Sequence, residues 1–502
     1  MTTVTVTTLA HSIYSESMET LDGNDASSGV IVEEGGVTGS DSDSTVVGKG
    51  YYGLDEFLTE EPYEEQCPGG YHRGYVGETL GPDDRYVLLR KLGWGGYCTV
   101  WLALDGRQDR HVAIKIHKSS AEYSLAARKE LQMLRHVQSC SQSSSHPGAG
   151  HVVELLDAFA HSGPHGLHVC LVFEPLNTSV LSLLGQCHRT GFCNLKEAGE
   201  SCVDGGLPLE MAKEVTRQVL LALDFLHRCC HVVHTDIKPE NVMLEFPNLP
   251  SKWDVVRYLH EYTSEHLDRD VKSATSRPLP SPFACNFSRE VAGMPRPNFS
   301  QACGKDWKSF FKVKLVDLGN ACCTDCRPQT YGVQTLEYRA PEIFLQYPKW
   351  GCAADIWSTA CLFSEMCTAR YLFKSQGNDI FPETASQLKL FATVLGPAPD
   401  KFLRQSTLAD DYELCVNARQ VRSLSENYIY ELGINRTLSQ QMEQFLLPML
   451  QWDPSRRADA ISCAKHPFLR NGKLKIGKLR DSLKKPLKGS FRKILGTGSK
   501  SL

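Results

Sequence analysis

The sequence predicts an α+β, bilobal molecule: a small β-rich N-lobe with one main helix, followed by a larger, mainly helical C-lobe. Three observations carry this. From Tyr86 onward, short runs rich in β-branched and aromatic residues (Tyr86 to Leu92, Thr99 to Leu104, His111 to Ile116) alternate with Gly and Asp turn signals. A helical pattern from Glu122 to Arg135 follows them. Beyond Glu174 the chain turns helical, as in Glu210 to Arg228, where Met211, Val215, Val219, Leu220, Leu223 and Leu226 recur at helix spacing and form one apolar stripe. The predicted N-lobe covers about 86–174 and the C-lobe about 178–469.

The flanks differ from this body. Residues 1 to about 70 are rich in Ser, Thr, Gly and acidic residues without sustained periodicity, too little apolar surface to offset the entropy lost on folding, so the sequence predicts a disordered acidic tail. It carries 14 acidic residues against Lys49 alone, whereas from Arg470 to Leu502 there are 11 basic residues against Asp481. The net charge of -4 thus hides an acidic tail and a basic one (471–502) around a nearly neutral folded region, 71–470. Between Leu244 and Phe311 a Pro- and Ser-bearing stretch breaks both periodicities and reads as a surface insertion, about 245–311. No run approaches the roughly 20 apolar residues a spanning helix needs, and MTTVTVTTLAHS lacks the regions of a signal peptide. With 19 scattered cysteines, read as reduced thiols rather than a disulfide framework, these features predict a cytoplasmic or nuclear protein.

Gly93, Gly95 and Gly96 of LGWGGYCTV lie between the first two strands, where missing Cβ atoms let backbone N–H groups approach phosphate oxygens, although alone they fit a structural hairpin equally well. One strand later VAIK puts the Lys115 ammonium where it could neutralise nucleotide phosphates if a helix carboxylate holds it. Glu130 of KELQML is the candidate for that carboxylate and Glu122 the competitor. HTDIKPEN (234–241) then supplies Asp236, Lys238 and Asn241 in one turn-rich loop. Phosphoryl transfer needs positioning and charge balance more than covalent help. Asp236 would accept the proton of the attacking hydroxyl, Lys238 would balance charge on the γ-phosphate, and Asn241 with Asp317 of KVKLVDLGNA would hold Mg²⁺ through oxygen atoms. Leu318 stands where the common Asp-Phe-Gly motif has Phe. Further on, Glu342 of APE has a candidate buried partner in Arg457 of DPSRRA. The ordered series predicts a protein kinase using ATP and Mg²⁺.

The chain resembles the SR-protein-specific kinases, within the group that includes the cyclin-dependent and MAP kinases. The resemblance runs over roughly residues 69–470, through GGYH, RKLGWG, TVWLA, HTDIKPEN, DLGNAC, DIWSTAC and KHPFL, and HTDIKPEN and DLGNAC are its specific signals. It implies the eukaryotic protein kinase fold and phosphorylation of serines in Arg/Ser-rich proteins of RNA splicing. It also implies that Leu92, Val100 and Ala113 line the adenine site, that Phe173, Glu174 and Leu176 of LVFEPL form the hinge, that Asp355 braces the catalytic loop, and that Thr335 and Glu337 line the substrate groove. Glu337 either favours a basic residue beside the acceptor or is a surface charge. Thr235 replaces the Arg that usually pairs with a phosphate on the activation segment, which predicts activity without phosphorylation of Thr330 or Tyr331. Where the family has an acidic docking patch, PETASQLKLF and its approach keep Asp379 and Glu383.

The remaining features have plain readings. Cys323 and Cys326 form a CxxC without a second pair, and Cys98 under the glycine-rich loop reads as a tolerated small residue. The 17 histidines show no paired spacing and read as surface or core packing. The basic tail suits nucleic acid, anionic lipid or an import receptor, or is simply solvated. Competing readings are a kinase of the same group acting on other substrates, a pseudokinase scaffold, and a nucleic-acid-binding protein; a monomer is expected.

Overall fold

In the computed structural model the described residues are 61–190, 206–245, 311–324, 332–374 and 383–470. Strands β1 (Thr79–Leu80), β2 (Tyr86–Gly95), β3 (Cys98–Asp105), β4 (Arg110–His117), β5 (Leu155–Gly163) and β6 (Gly166–Phe173) form an antiparallel sheet ordered β1-β2-β3-β4-β6-β5. Alternation puts Tyr86, Leu88, Trp101, Ala103, Val112, Ile114, Phe159, Cys170 and Val172 into one buried cluster on one face of this sheet. Two register shifts in β2, at Leu88/Arg90 and Lys91/Gly93, bend it toward its hairpin with β3.

Helix α1 (Ala121–Ser143) starts at Ser120, whose hydroxyl caps the Tyr123 N–H, and buries Ala127, Glu130, Leu131, Leu134 and Val137. It runs two turns past the predicted end at Arg135. The extension is polar in sequence but anchored: Val137 is buried, the His136 ring meets the Cys230 carbonyl at 2.8 Å, and Gln138 donates to the Leu155 carbonyl. The second correction concerns the acidic tail, predicted to reach about residue 70. Residues 61–70 pack on the N-lobe, with Glu61 paired to buried Lys91 and Glu65 paired to Lys118. Their carboxylates meet lysines displayed by the sheet, which composition does not reveal.

In the C-lobe, β7 (Thr178–Ser179) leads into α2 (Val180–Thr190), followed by α3 (Leu209–Arg228), β8 (Val232–Val233), β9 (Val242–Glu245), β10 (Lys312–Leu315) and β11 (Cys322–Cys323). β9 pairs with β10 and β7, so the predicted insertion joins two neighbouring antiparallel strands; its residues 246–310 lie outside the described residues. β11 pairs with β8, placing the chain after Asp317 beside the strand that leads into HTDIKPEN. The remaining helices are α4 (Pro341–Phe344), α5 (Ala353–Thr368), α6 (Glu383–Leu395), α7 (Asp400–Leu403), α8 (Glu413–Val416), α9 (Leu424–Leu432), α10 (Arg436–Leu446), α11 (Ala460–Ala464) and α12 (Pro467–Arg470). α5 is buried on all sides from Ala354 to Thr368 and forms the axis of the lobe. One core cluster joins the lobes, running from Leu131 and Leu134 of α1 through Leu318 to Phe363 and Phe445. Among the described residues no helix is long and apolar enough to cross a membrane. The predicted tails at 1–60 and 471–502, with Thr330, Tyr331, Cys326 and Asp379, lie outside the described residues.

Candidate active site

Lys115 sits on β4 opposite Val100 of β3 and Leu171 of β6. Its ammonium donates to both Glu130 oxygens, at 2.8 and 2.9 Å, and to Asp317 Oδ1 at 3.0 Å. Glu122 is exposed at the start of α1, so of the two candidate carboxylates it is Glu130 that meets the lysine. Burial opposes charge on both partners, but the Lys115 charge outweighs it and holds the Glu130 carboxyl below its ordinary value, while Glu130 and Asp317 raise Lys115 well above its own. The adjacent ammonium likewise lowers Asp317 to about 2. The His117 ring lies 3.1 Å from Glu130 Oε2 and 3.1 Å from the Val169 carbonyl, a support that sequence reasoning missed.

Above this group β2 and β3 close at Gly95 and Cys98 through Gly96 and Tyr97. A Cβ built on Gly93, Gly95 or Gly96 meets no atom within 4 Å, so the hairpin leaves open space for a ligand. The Tyr71 hydroxyl donates to the Gly95 carbonyl at 2.8 Å and steadies the tip. Leu92 is on β2, and Ala113 faces Leu102 and Phe173 across the sheet. Behind them, the Glu174 carboxylate accepts from the Glu154 N–H and from Lys314, and Leu176 packs on the core. Burial pushes the Cys98 thiol up to about 11, which keeps it protonated and unreactive.

The catalytic-loop segment is fixed by Asp355. This fully buried carboxylate, three residues into α5, accepts from the His234 and Thr235 N–H groups and from the His227 ring, each at 2.8 Å. Thr235 takes a positive φ of 69°, and its hydroxyl donates to the Asn320 carbonyl at 2.8 Å. The His234 ring reaches the Val316 carbonyl at 3.1 Å, tying the loop to the residue before Asp317. Asn241 donates to the Asp236 carbonyl and carboxylate at 2.9 and 3.1 Å, and its own carbonyl accepts from Val316 N–H, which puts Asp317 beside it. An amide oxygen next to an ionised carboxylate suits a hard divalent cation.

Lys238 lies 3.0 Å from Asp236 Oδ2 and donates to the Thr335 hydroxyl, which donates to Asp236 Oδ1 at 2.9 Å. Glu337, half-buried, follows in the turn Leu336–Tyr338. The turn depends on Gln334, another residue missed from sequence: at a φ of 67° its amide spans the Ala354 carbonyl, the Ser358 hydroxyl and the Ala340 N–H. Glu342 of α4 and Arg457 are both fully buried and form a two-pronged pair at 2.6 and 2.8 Å, with Arg457 also donating to the Ala353 and Gln451 carbonyls.

Two strands of comparison meet this geometry. The protein kinase domain model matches residues 86–251 and 305–469, so the chain belongs to the protein kinases: it uses ATP and a divalent metal and transfers phosphate to protein serine or threonine. Serine/threonine-protein kinase SRPK of Physarum polycephalum is 33% identical, covering 82% of this chain and 91% of its own length. Protein kinase dsk1 of Schizosaccharomyces pombe is 30% identical over 82% and 85%, and SRSF protein kinase 3 of Homo sapiens is 27% identical over 84% and 92%. Within the kinases, the chain is a member of the SR-protein kinase family.

Proposed function

We propose that this kinase uses Mg²⁺·ATP to phosphorylate serines flanked by arginine in Arg/Ser-rich proteins. The cluster of Asp236, Lys238, Asn241 and Thr335 carries the chemistry. Asp236 orients the acceptor hydroxyl and takes its proton, and Lys238 balances charge on the transferred group. Bound Mg²⁺ supplies charge neutralisation at the phosphates, with Asn241 and Asp317 as its protein ligands. Lys115, held by Glu130, faces the α- and β-phosphates under Gly93, Gly95 and Gly96. Leu92, Val100 and Ala113 cover the adenine, and the hinge of Phe173, Glu174 and Leu176 holds its edge; the Leu176 N–H and Glu174 carbonyl take no backbone partner among the described residues.

The preference for arginine rests on negative charge at the acceptor rim. Glu240 is exposed one residue before Asn241 and lies within electrostatic reach of Asp236 and Glu337, so a docking cation meets three acidic groups there, with Lys238 as their nearby counter-charge. The similarity to SRPK and to SRSF protein kinase 3 supports the same substrate class. Of the acidic residues kept where the family has its docking patch, Glu383 is exposed at the start of α6, and Asp379 lies outside the described residues. A monomeric state, a cytoplasmic or nuclear location and nucleic-acid binding by residues 471–502 belong to this proposal only as expectations.

The test is ³²P transfer from Mg²⁺·ATP to an Arg/Ser-repeat peptide, a Pro-directed peptide and an acidic-site peptide, with wild type and Asp236→Asn. Labelling of the Arg/Ser peptide alone, reduced about 10²- to 10⁴-fold in the variant, is expected. Preferential labelling of another peptide removes the Arg/Ser assignment, and equal labelling by the variant removes Asp236 from its role.

A further inference from the structure

Histidines far apart in the sequence meet at the outer edge of the N-lobe. His72 belongs to the segment preceding β1, Glu78 to the turn just before that strand, and His161 and His168 face each other across β5 and β6. The His72 ring packs edge-on against both others, centroids 4.9 Å from His161 and 5.1 Å from His168. His72 Nε2 lies 3.0 and 3.1 Å from the two Glu78 oxygens, and His161 Nε2 lies 3.8 Å from Oε1. The three ligand-type atoms fall within 4.8 Å of one another.

His72 is buried, and its Nε2 is turned toward the Glu78 carboxylate rather than into the core. The hairpin also makes room for the ring: a Cβ on Gly163 would stand 2.6 Å from His72 Nδ1. A tetrahedral ion bound at about 2.0–2.1 Å holds its donors roughly 3.3 Å apart. The 3.0 Å separation already suits this, and rotation of the half-buried His161 side chain closes both the 3.8 Å one and the His72–His161 separation, which is within 4.8 Å. Two imidazoles and one carboxylate select zinc over magnesium or calcium, which prefer oxygen throughout. Glu78 and His161 keep partial solvent access, leaving a fourth position for water.

We propose that His72, Glu78 and His161 form a Zn²⁺ site that pins the segment before β1 to the β5–β6 hairpin, separate from the catalytic metal ligands. The test uses the full chain, freed of metal by a chelator and titrated with Zn²⁺ and Co²⁺ without nucleotide. One equivalent is expected to bind, with Co²⁺ visible bands of a nitrogen–oxygen site lacking thiolate charge transfer and with a zinc-dependent rise in Tm. Binding and the Tm rise should both be lost in His161→Ala and, separately, in Glu78→Gln, which keeps the side chain's shape if the first variant folds poorly. No binding overturns the proposal. So does binding that persists in both variants or carries a thiolate band, since the ion would then sit on cysteines.

Discussion

Lys115 is the residue through which the two halves of the site communicate, because its ammonium touches Glu130 of α1 and Asp317 beyond β10 at the same time. Removing it leaves the buried Glu130 carboxylate and the partly exposed Asp317 carboxylate without their shared cation, and removes the charge available to phosphate. Lys115→Met is expected to lower kcat about 10²- to 10³-fold, the loss typical of one preorganised electrostatic group, as read by steady-state kinetics. The same pairing has a pH signature. Asp317 is depressed to about 2 and Glu130 is also lowered, so their stabilisation is complete above the ordinary carboxylate range and disappears as pH falls through their folded values. Without the lysine both carboxyls rise and this acid-linked loss goes with it, so Lys115→Met should be less stable than wild type near neutral pH by an amount that shrinks as pH falls through the wild-type carboxyl values; a difference in urea midpoints that stays constant across the acid range would refute the coupling. Residues of this kind were legible in the sequence because phosphate chemistry fixes their type and order. Gln334 and His117 were not, because an amide filling a turn and a ring backing a carboxylate leave no spacing signal. The histidine cluster was invisible for the same reason: strand pairing, rather than sequence spacing, joins its members.

Elements are set by burial, and here sequence and structure part where polar residues are the ones buried. The predicted strands lie within the observed ones, since alternation on a half-buried sheet is a direct trace of its two faces. α1 was read short because its last turns are Ser- and Gln-rich, and their anchors, the Cys230 and Leu155 carbonyls, come from distant segments. α4 shows the energetic side of such anchoring. Its Glu342 is spaced more than a hundred residues from Arg457, and both charges are wholly withdrawn from water, so each is tolerable only because the other is there. Arg457→Met strands the Glu342 carboxylate and leaves the Ala353 and Gln451 carbonyls without their donor. The expected loss is about 3–5 kcal/mol, seen as a lowered Tm with little change in the ATP KM of the folded fraction; an unchanged Tm would show that the pair contributes no net stability.

At the scale of the molecule, the described residues suit turnover without a phosphate on the activation segment, and that is the expectation to test. The Lys115–Glu130 pair is closed, Leu318 is buried in the core that joins the lobes, and β11 is paired with β8. In kinases switched by phosphorylation, an arginine of the catalytic loop meets the new phosphate and so transmits its charge to the site. Here that position is Thr235, which is fully buried and already satisfied by the Asn320 carbonyl, with its N–H held by Asp355. A phosphate on Thr330 or Tyr331 would therefore find no cation at this position. Unphosphorylated protein made in bacteria should be active, and the double variant Thr330→Ala, Tyr331→Phe should retain the wild-type kcat. If activity instead required treatment with an upstream kinase and disappeared in the double variant, the lack of an arginine at Thr235 would not free the enzyme from activation-segment phosphorylation.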